Sequence, residues 1–319
     1  MKDGKSLSNT EFIYTYVRHT DEYDLCRLEM RSFFGFDKQS NVLKSDIEIH
    51  PSRSPFMKER LDVLYQGDHL EAILEQVKHL QLEGATFKVA SLNTFALDTT
   101  EKIGHPERRS IEREVGMCIQ GDPDFNNPEV VFGVVQLDDQ WYFGKLVESE
   151  AVWFHHQKKP HMYSTALSTR VARAVANIAV PHPADVRAID PCCGIGTVLV
   201  EGLSMGINIV GRDINPLVVL GSRKNIAYFG LEGEVNLGPI ADVVEDYDVA
   251  IIDMPYNLFT HITPEAQLEI LKEARRFVKK LVVVTIETID HMVDEAGFRI
   301  VDRCIAKKGL FLRQVLVCE

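Results

Sequence analysis

The chain has 319 residues, 45% of them hydrophobic, which suffices for two sizeable cores. A formal net charge of −12 excludes a generally basic nucleic-acid binder, and no apolar run approaches the about eighteen residues that span a membrane. Residues 1–10 lack the apolar segment of a signal peptide, and the six cysteines show neither C-x-x-C nor zinc-like spacing, so reduced thiols in a cytoplasmic protein are expected.

Residues 11–17 alternate in the manner of a strand, and residues 23–30 have helical periodicity. Strands are expected at 46–50 and 63–65, around a loop carrying Pro51 and Pro55. Residues 70–80 place apolar side chains at helical spacing. Irregular alternation of this kind indicates an α+β module of ferredoxin-like type over residues 1–152. Within it, the segment 107–116 carries Arg108, Arg109 and Arg113, interleaved with Glu107, Glu112 and Glu114.

A linker and a helix are expected over 153–185. The linker holds His155, His156 and His161, but no carboxylate or cysteine accompanies them, so no metal is expected. Lys158 and Lys159 are candidates for a phosphate contact. The helix is expected over 163–179.

From residue 186 onward the pattern is βαβα. Strands are expected at 186–190, 207–212, 234–237, 248–253, 281–286, 298–305 and 311–317, with helices near 197–205, 217–229, 264–279 and 288–296. This alternation gives a mostly parallel sheet covered on both faces. The connection 306–309 is too short for a crossover, so the last two strands form a hairpin.

The chemistry is carried at the ends of these strands. Asp190 closes the first, and a loop with Gly194 and Gly196 leads into the helix that begins near Thr197. Glycine lets backbone approach a ligand, and a helix start offers unpaired N–H groups. A dinucleotide fingerprint would be G-x-G-x-x-G/A, but its last position here is Leu199. A carboxylate at the strand end also suits a cationic ligand without phosphate, such as S-adenosylmethionine (AdoMet). At the end of the second strand, Asp213 stands where an acidic residue takes ribose hydroxyls, with a helix N-cap as the alternative. Asp253-Met254-Pro255-Tyr256 ends the strand at 248–253 and shares the crevice. There the Asp253 carboxylate and a turn carbonyl can accept from an exocyclic amine, while Tyr256 can stack on its base.

These segments resemble the AdoMet-dependent methyltransferases of amino groups, and more closely the THUMP-containing tRNA guanine-N2 methyltransferases. The family's glycine loop is matched by Asp190-Pro191-Cys192-Cys193-Gly194-Ile195-Gly196-Thr197. Its Asp-Pro-Pro-Tyr stands here as Asp253-Met254-Pro255-Tyr256, a departure at the second position. The resemblance implies a Rossmann-like class I methyltransferase sheet of seven strands over 186–319. It also implies a THUMP-like domain, carried more loosely by residues 60–150, that captures tRNA.

The cofactor contacts it implies are Tyr163, Ser164, Thr165, Asp190, Cys192, Gly194, Gly196, Thr197, Asp213 and Ile214. For Ser164 a plain N-cap is the alternative. Relatives carry an acidic residue for the adenine amine where this chain has Pro239, so Asp242 or the Ile240 backbone is expected in that role. Asp253, Met254, Pro255 and Tyr256 are the expected catalytic turn. Arg108, Arg109 and Arg113 either contact RNA or form a solvated, ion-paired helix face. The expected activity is methyl transfer to a guanosine amine in tRNA. The alternatives are another amine, such as adenine in RNA or DNA, or a non-catalytic RNA-binding protein that keeps the fold.

Overall fold

A computed structural model describes residues 10–92, 104–163, 166–255, 262–308 and 311–319, the side chains of Lys308 and Phe311 excepted. In chain order its strands are β1 Phe12–Tyr16, β2 Val42–Ser45, β3 Met57–Gly67, β4 Phe87–Ser91, β5 Val130–Leu137, β6 Gln140–Glu148, β7 Arg187–Asp190, β8 Asn208–Asp213, β9 Val235–Leu237, β10 Val249–Asp253, β11 Lys280–Thr285, β12 Ile300–Lys308 and β13 Phe311–Cys318. Its helices are α1 Tyr23–Phe34, α2 Leu70–Val77, α3 His105–Cys118, α4 Thr169–Ala179, α5 Thr197–Ser204, α6 Pro216–Tyr228, α7 Pro264–Phe277 and α8 Asp290–Glu295.

The chain forms two compact units. The first comprises residues 1–17, 38–52 and 56–150. Its sheet runs β2-β1-β3-β6-β5-β4, antiparallel except for the β4–β5 pair. Asp138 and Asp139, both at positive φ, join β5 to β6 in the two-residue hairpin turn that matches strand twist. Ile73 and Val77 of α2, with Ile111 and Val115 of α3, bury their apolar stripes against Phe87, Phe132 and Phe143 of the sheet.

The second unit comprises residues 18–37, 53–55 and 151–319. Its sheet runs β12-β13-β11-β10-β7-β8-β9, and only β13 is antiparallel to its neighbours. This is the seven-stranded, hairpin-terminated Rossmann-like sheet. The strand order reverses between β7 and β10, which places a crevice beyond their carboxyl ends. Apolar residues of β10 and β11, among them Ala250, Ile252, Leu281 and Val283, pack against Leu271 and Phe277 of α7.

Several expectations shift. The strand expected at 46–50 is instead β2, and that at 63–65 is the middle of the eleven-residue β3. The helix expected from 163 begins at Thr169, where the Ser168 hydroxyl accepts the Val171 N–H. Division at residue 152 alone also does not describe the compact units. Helix α1 lies in the second, held by Glu29 to Asn177 at 2.7 Å and by Arg31 to Asp302 at 2.8 Å. The expected linker and its helix lie there too. Among the described residues, no helix is long and apolar enough to cross a membrane.

Candidate active site

The crevice is a cavity of about 770 Å³ beyond the ends of β7, β8 and β10. Its floor is the loop from Asp190 to Thr197. Gly194 and Gly196 both hold positive φ, +53° and +76°, which strains any residue with a Cβ. Space beside Gly194 is open, whereas a Cβ on Gly196 would lie 2.2 Å from Ser222 Oγ. The loop is closed by Gly196 N–H donating to the Cys193 carbonyl at 2.9 Å, and tied to β8 by Cys193 N–H donating to the Arg212 carbonyl at 3.0 Å. Buried Asn225 joins the Ile195 carbonyl to the backbone of His161.

Three expected carboxylates meet here. Asp190 is 2% exposed and accepts the Cys192 N–H at 3.2 Å. Burial, with the nearby charges of Asp253 and Asp213, pushes its carboxyl well above the ordinary range. Asp213 accepts the N–H groups of Gly194 and Asn215, each at 2.9 Å. Asp253 ends β10, and burial raises its carboxyl to about 7, opposed by the charge of Arg313. Burial likewise pushes the Cys192 and Cys193 thiols up, so both stay protonated.

The turn after Asp253 is tied at both ends. Met254 is 1% exposed, with its side chain in the core beneath the crevice. Its N–H, which a proline would lack, donates to the Val284 carbonyl at 2.8 Å. The Pro255 carbonyl accepts from Gln267 Nε2 at 3.0 Å.

Of the expected contacts, Tyr163, Asp190, Cys192, Gly194, Thr197, Asp213, Ile214, Ile240, Asp253, Met254 and Pro255 line the cavity. Gly196, in the same loop, and exposed Asp242 do not line it. Ser164, Thr165 and Tyr256 lie outside the described residues. Lys159 is 8% exposed, and burial holds its ammonium below the ordinary lysine value, so it does not present itself to a phosphate. Lys158 is exposed. His156 is engaged with buried Glu201 at 2.8 Å, and Glu201 also takes Arg173 at 2.7 Å. In the first unit Arg109 and Arg113 are exposed and Arg108 is half-buried; Arg109 pairs with Glu112 at 3.4 Å.

Sequence reasoning missed the α7 wall, where Glu269 and Glu273 line the cavity. Their four-residue spacing on an amphipathic helix reads as a solvated face and carries no signal of a site. Their effect is large. Among the described residues the lining holds five carboxylates (Asp190, Asp213, Asp253, Glu269, Glu273) and no Lys, Arg or His. Such a wall repels phosphate, and a cation would ease the mutual repulsion of its acids. The Thr197 hydroxyl, buried at the cavity and without a partner among the described residues, supplies a polar atom for a ligand. AdoMet, with sulfonium, ammonium, ribose and no phosphate, fits this donor and acceptor set.

Residues 156–293 match the UPF0020 family, RMKL-like, methyltransferase domain. The chain is 27% identical over 191 residues to the tRNA (guanine(10)-N2)-dimethyltransferase of Methanothermobacter thermautotrophicus, covering 56% of each protein. It is 24% identical to the tRNA (guanine(6)-N2)-methyltransferase of Archaeoglobus fulgidus, covering 90% of this chain and 83% of that one. Its match to a second guanine(10)-N2 dimethyltransferase, from Methanocaldococcus jannaschii, covers 48%, so the chain spans about half the length of the first such relatives. Among solved structures, TrmN from Thermus thermophilus is similar at 15% identity and a TM-score of 0.48, with 97% of this chain and 99% of that one covered.

Proposed function

We propose that this chain, whose residues 156–293 match an RMKL-like methyltransferase domain, is an AdoMet-dependent RNA methyltransferase that modifies the exocyclic amine of a guanosine in tRNA. The observation that carries the cofactor assignment is the acidic lining of the crevice, free of Lys, Arg and His among the described residues, around an open glycine loop. The guanosine and tRNA assignments are supported by the names of the relatives and by the Asp253–Tyr256 motif. The first unit is proposed as the THUMP-like RNA-binding part, with exposed Arg109 and Arg113 as local phosphate contacts on an acidic protein; exposed Lys158, in the second unit, is a further candidate.

When bound, AdoMet supplies an electrophilic methyl group. Asp190 and the loop from Cys192 to Thr197 would hold its methionine part, and Asp213 would take the ribose hydroxyls. Ile214 and Ile240, both lining the cavity, would flank the adenine. Asp253 and the carbonyl of Met254, the turn residue that follows it, would accept the two N–H groups of the target amine, while the Pro255 carbonyl accepts one bond from Gln267. Those bonds favour a pyramidal nitrogen, whose lone pair is otherwise delocalised into the guanine ring. They would also fix the orientation of the nitrogen in the crevice, so that orientation supplies much of the acceleration. With AdoMet bound to supply the methyl group, the amine would gain positive charge on transfer. Asp253 then takes its proton. Tyr256 is proposed to stack on the base.

A cofactor-binding experiment tests this assignment. Calorimetry should show AdoMet binding that Asp190→Ala weakens, and no comparable binding of NAD. Preference for the dinucleotide would contradict the reading.

A further inference from the structure

Gln267 is 2% exposed, near the start of α7, and its side-chain amide donates in two directions. One N–H goes to the Pro255 carbonyl at 3.0 Å and the other to Glu287 Oε2 at 3.2 Å. Glu287 is itself fixed. Its N–H donates to Thr285 Oγ1 at 3.1 Å, and its carbonyl accepts from Gln314 Nε2 at 3.3 Å. Pro255 follows β10, Thr285 ends β11 and Gln314 belongs to β13, three strands adjacent in the sheet. One buried amide therefore joins the turn beyond Asp253 to a loop anchored on the next two strands.

We propose that Gln267 is a positioning residue that locks the Asp253–Pro255 turn in the geometry that receives the target amine. This rests on reading that turn as the amine-binding site. A primary amide is suited to the task, since it offers two donors in one plane and carries no charge to desolvate. With methionine at 254, the turn lacks one proline ring that would stiffen it. Two hydrogen bonds, Met254 N–H to Val284 and Gln267 to Pro255, supply the stiffness instead.

Gln267→Met keeps the length of the side chain and removes both donors. Two readouts decide. Hydrogen–deuterium exchange at the Met254 amide should rise about tenfold, with β7 and β8 amides unchanged. In methyl transfer to RNA, kcat should fall about 10- to 100-fold, while the RNA KM and the AdoMet affinity stay within about twofold. A role in stability alone would raise exchange throughout the unit and leave kcat per folded site intact. Wild-type exchange at Met254 in Gln267→Met overturns the proposal. If wild-type protein transfers no methyl group, the functional reading fails, yet exchange still shows whether Gln267 holds the turn. Should Gln267→Met not fold, Glu287→Ala is read the same way. It removes one anchor of the amide, so exchange at Met254 should rise about threefold, and no rise overturns the proposal.

Discussion

The Gly194 N–H donates to Asp213 Oδ2 at 2.9 Å, so the carboxylate at the end of β8 holds the loop that follows β7. Its other oxygen takes the Asn215 N–H. Each carboxylate oxygen has a further lone pair, so Asp213 can shape the cradle and still bind ribose. Asp213→Ala removes both roles. AdoMet affinity should fall about thirtyfold, corresponding to about 2 kcal/mol of charge-assisted hydrogen bonding. Asp213→Asn should fall between this variant and wild type. Titration calorimetry checks the order, and an unchanged affinity in Asp213→Ala would remove Asp213 from the site.

Gly196 is constrained twice, by its φ of +76° and by Ser222 Oγ, 2.2 Å from where a Cβ would sit. Gly196→Ala should cost about 1–3 kcal/mol of stability and most of the AdoMet binding. Adding Ser222→Ala frees the space but not the backbone, so the double variant should recover only partly. Thermal unfolding with and without AdoMet measures both effects. Full recovery would show that the left-handed backbone is dispensable.

Asp253 must be ionised to take a proton, and its carboxyl sits at about 7 because burial outweighs the help from Arg313. Activity governed by free enzyme should therefore rise with pH through a midpoint near 7. Removing the Arg313 charge makes ionisation harder, so Arg313→Gln should move the midpoint upward. A carboxyl raised in the folded state from about 4 in the unfolded chain stabilises below that value and loses its contribution as pH rises through about 7. The kcat/KM profiles of wild type and Arg313→Gln settle this; a midpoint shifted downward in the variant contradicts the assignment.

Met254→Pro would restore the second position of the motif that the turn resembles. It should nevertheless harm the protein, because it deletes the N–H bond to Val284 and empties a core position that is 1% exposed. A loss of about 2–4 kcal/mol is expected from the cavity and the unpaired carbonyl together. Urea unfolding would detect it, and a stabilised variant would show that Met254 is incidental.

The sheet that carries the site was legible because buried parallel strands read as short apolar runs between turn signals. β10 was expected at 248–253 and spans Val249–Asp253. The first unit was less readable. Residues 46–50 alternate like a strand, yet the Tyr14 hydroxyl donates to the Ile47 carbonyl and accepts the Ile49 N–H, which holds them as a loop. That contact spans more than thirty residues of sequence and leaves no local pattern. The same holds for α1, whose place follows from Arg31 meeting Asp302, 271 positions away. In the site itself, Asp190, Asp213 and Asp253 were visible as acids at strand ends. Glu269, Glu273 and Gln267 were not, because only the packing of α7 against β10 and β11 turns one face of that helix toward the crevice.

Asp253 is proposed to present a guanosine amine to the methyl donor, and one assay tests this directly. Labelled AdoMet should be incubated with unmodified tRNA and wild-type protein or Asp253→Ala, and the digested product resolved into nucleosides. Label should appear in N2-methylguanosine with wild type, and at least about a hundredfold less with the variant. Label in methyladenosine, or equal label with both proteins, would contradict it.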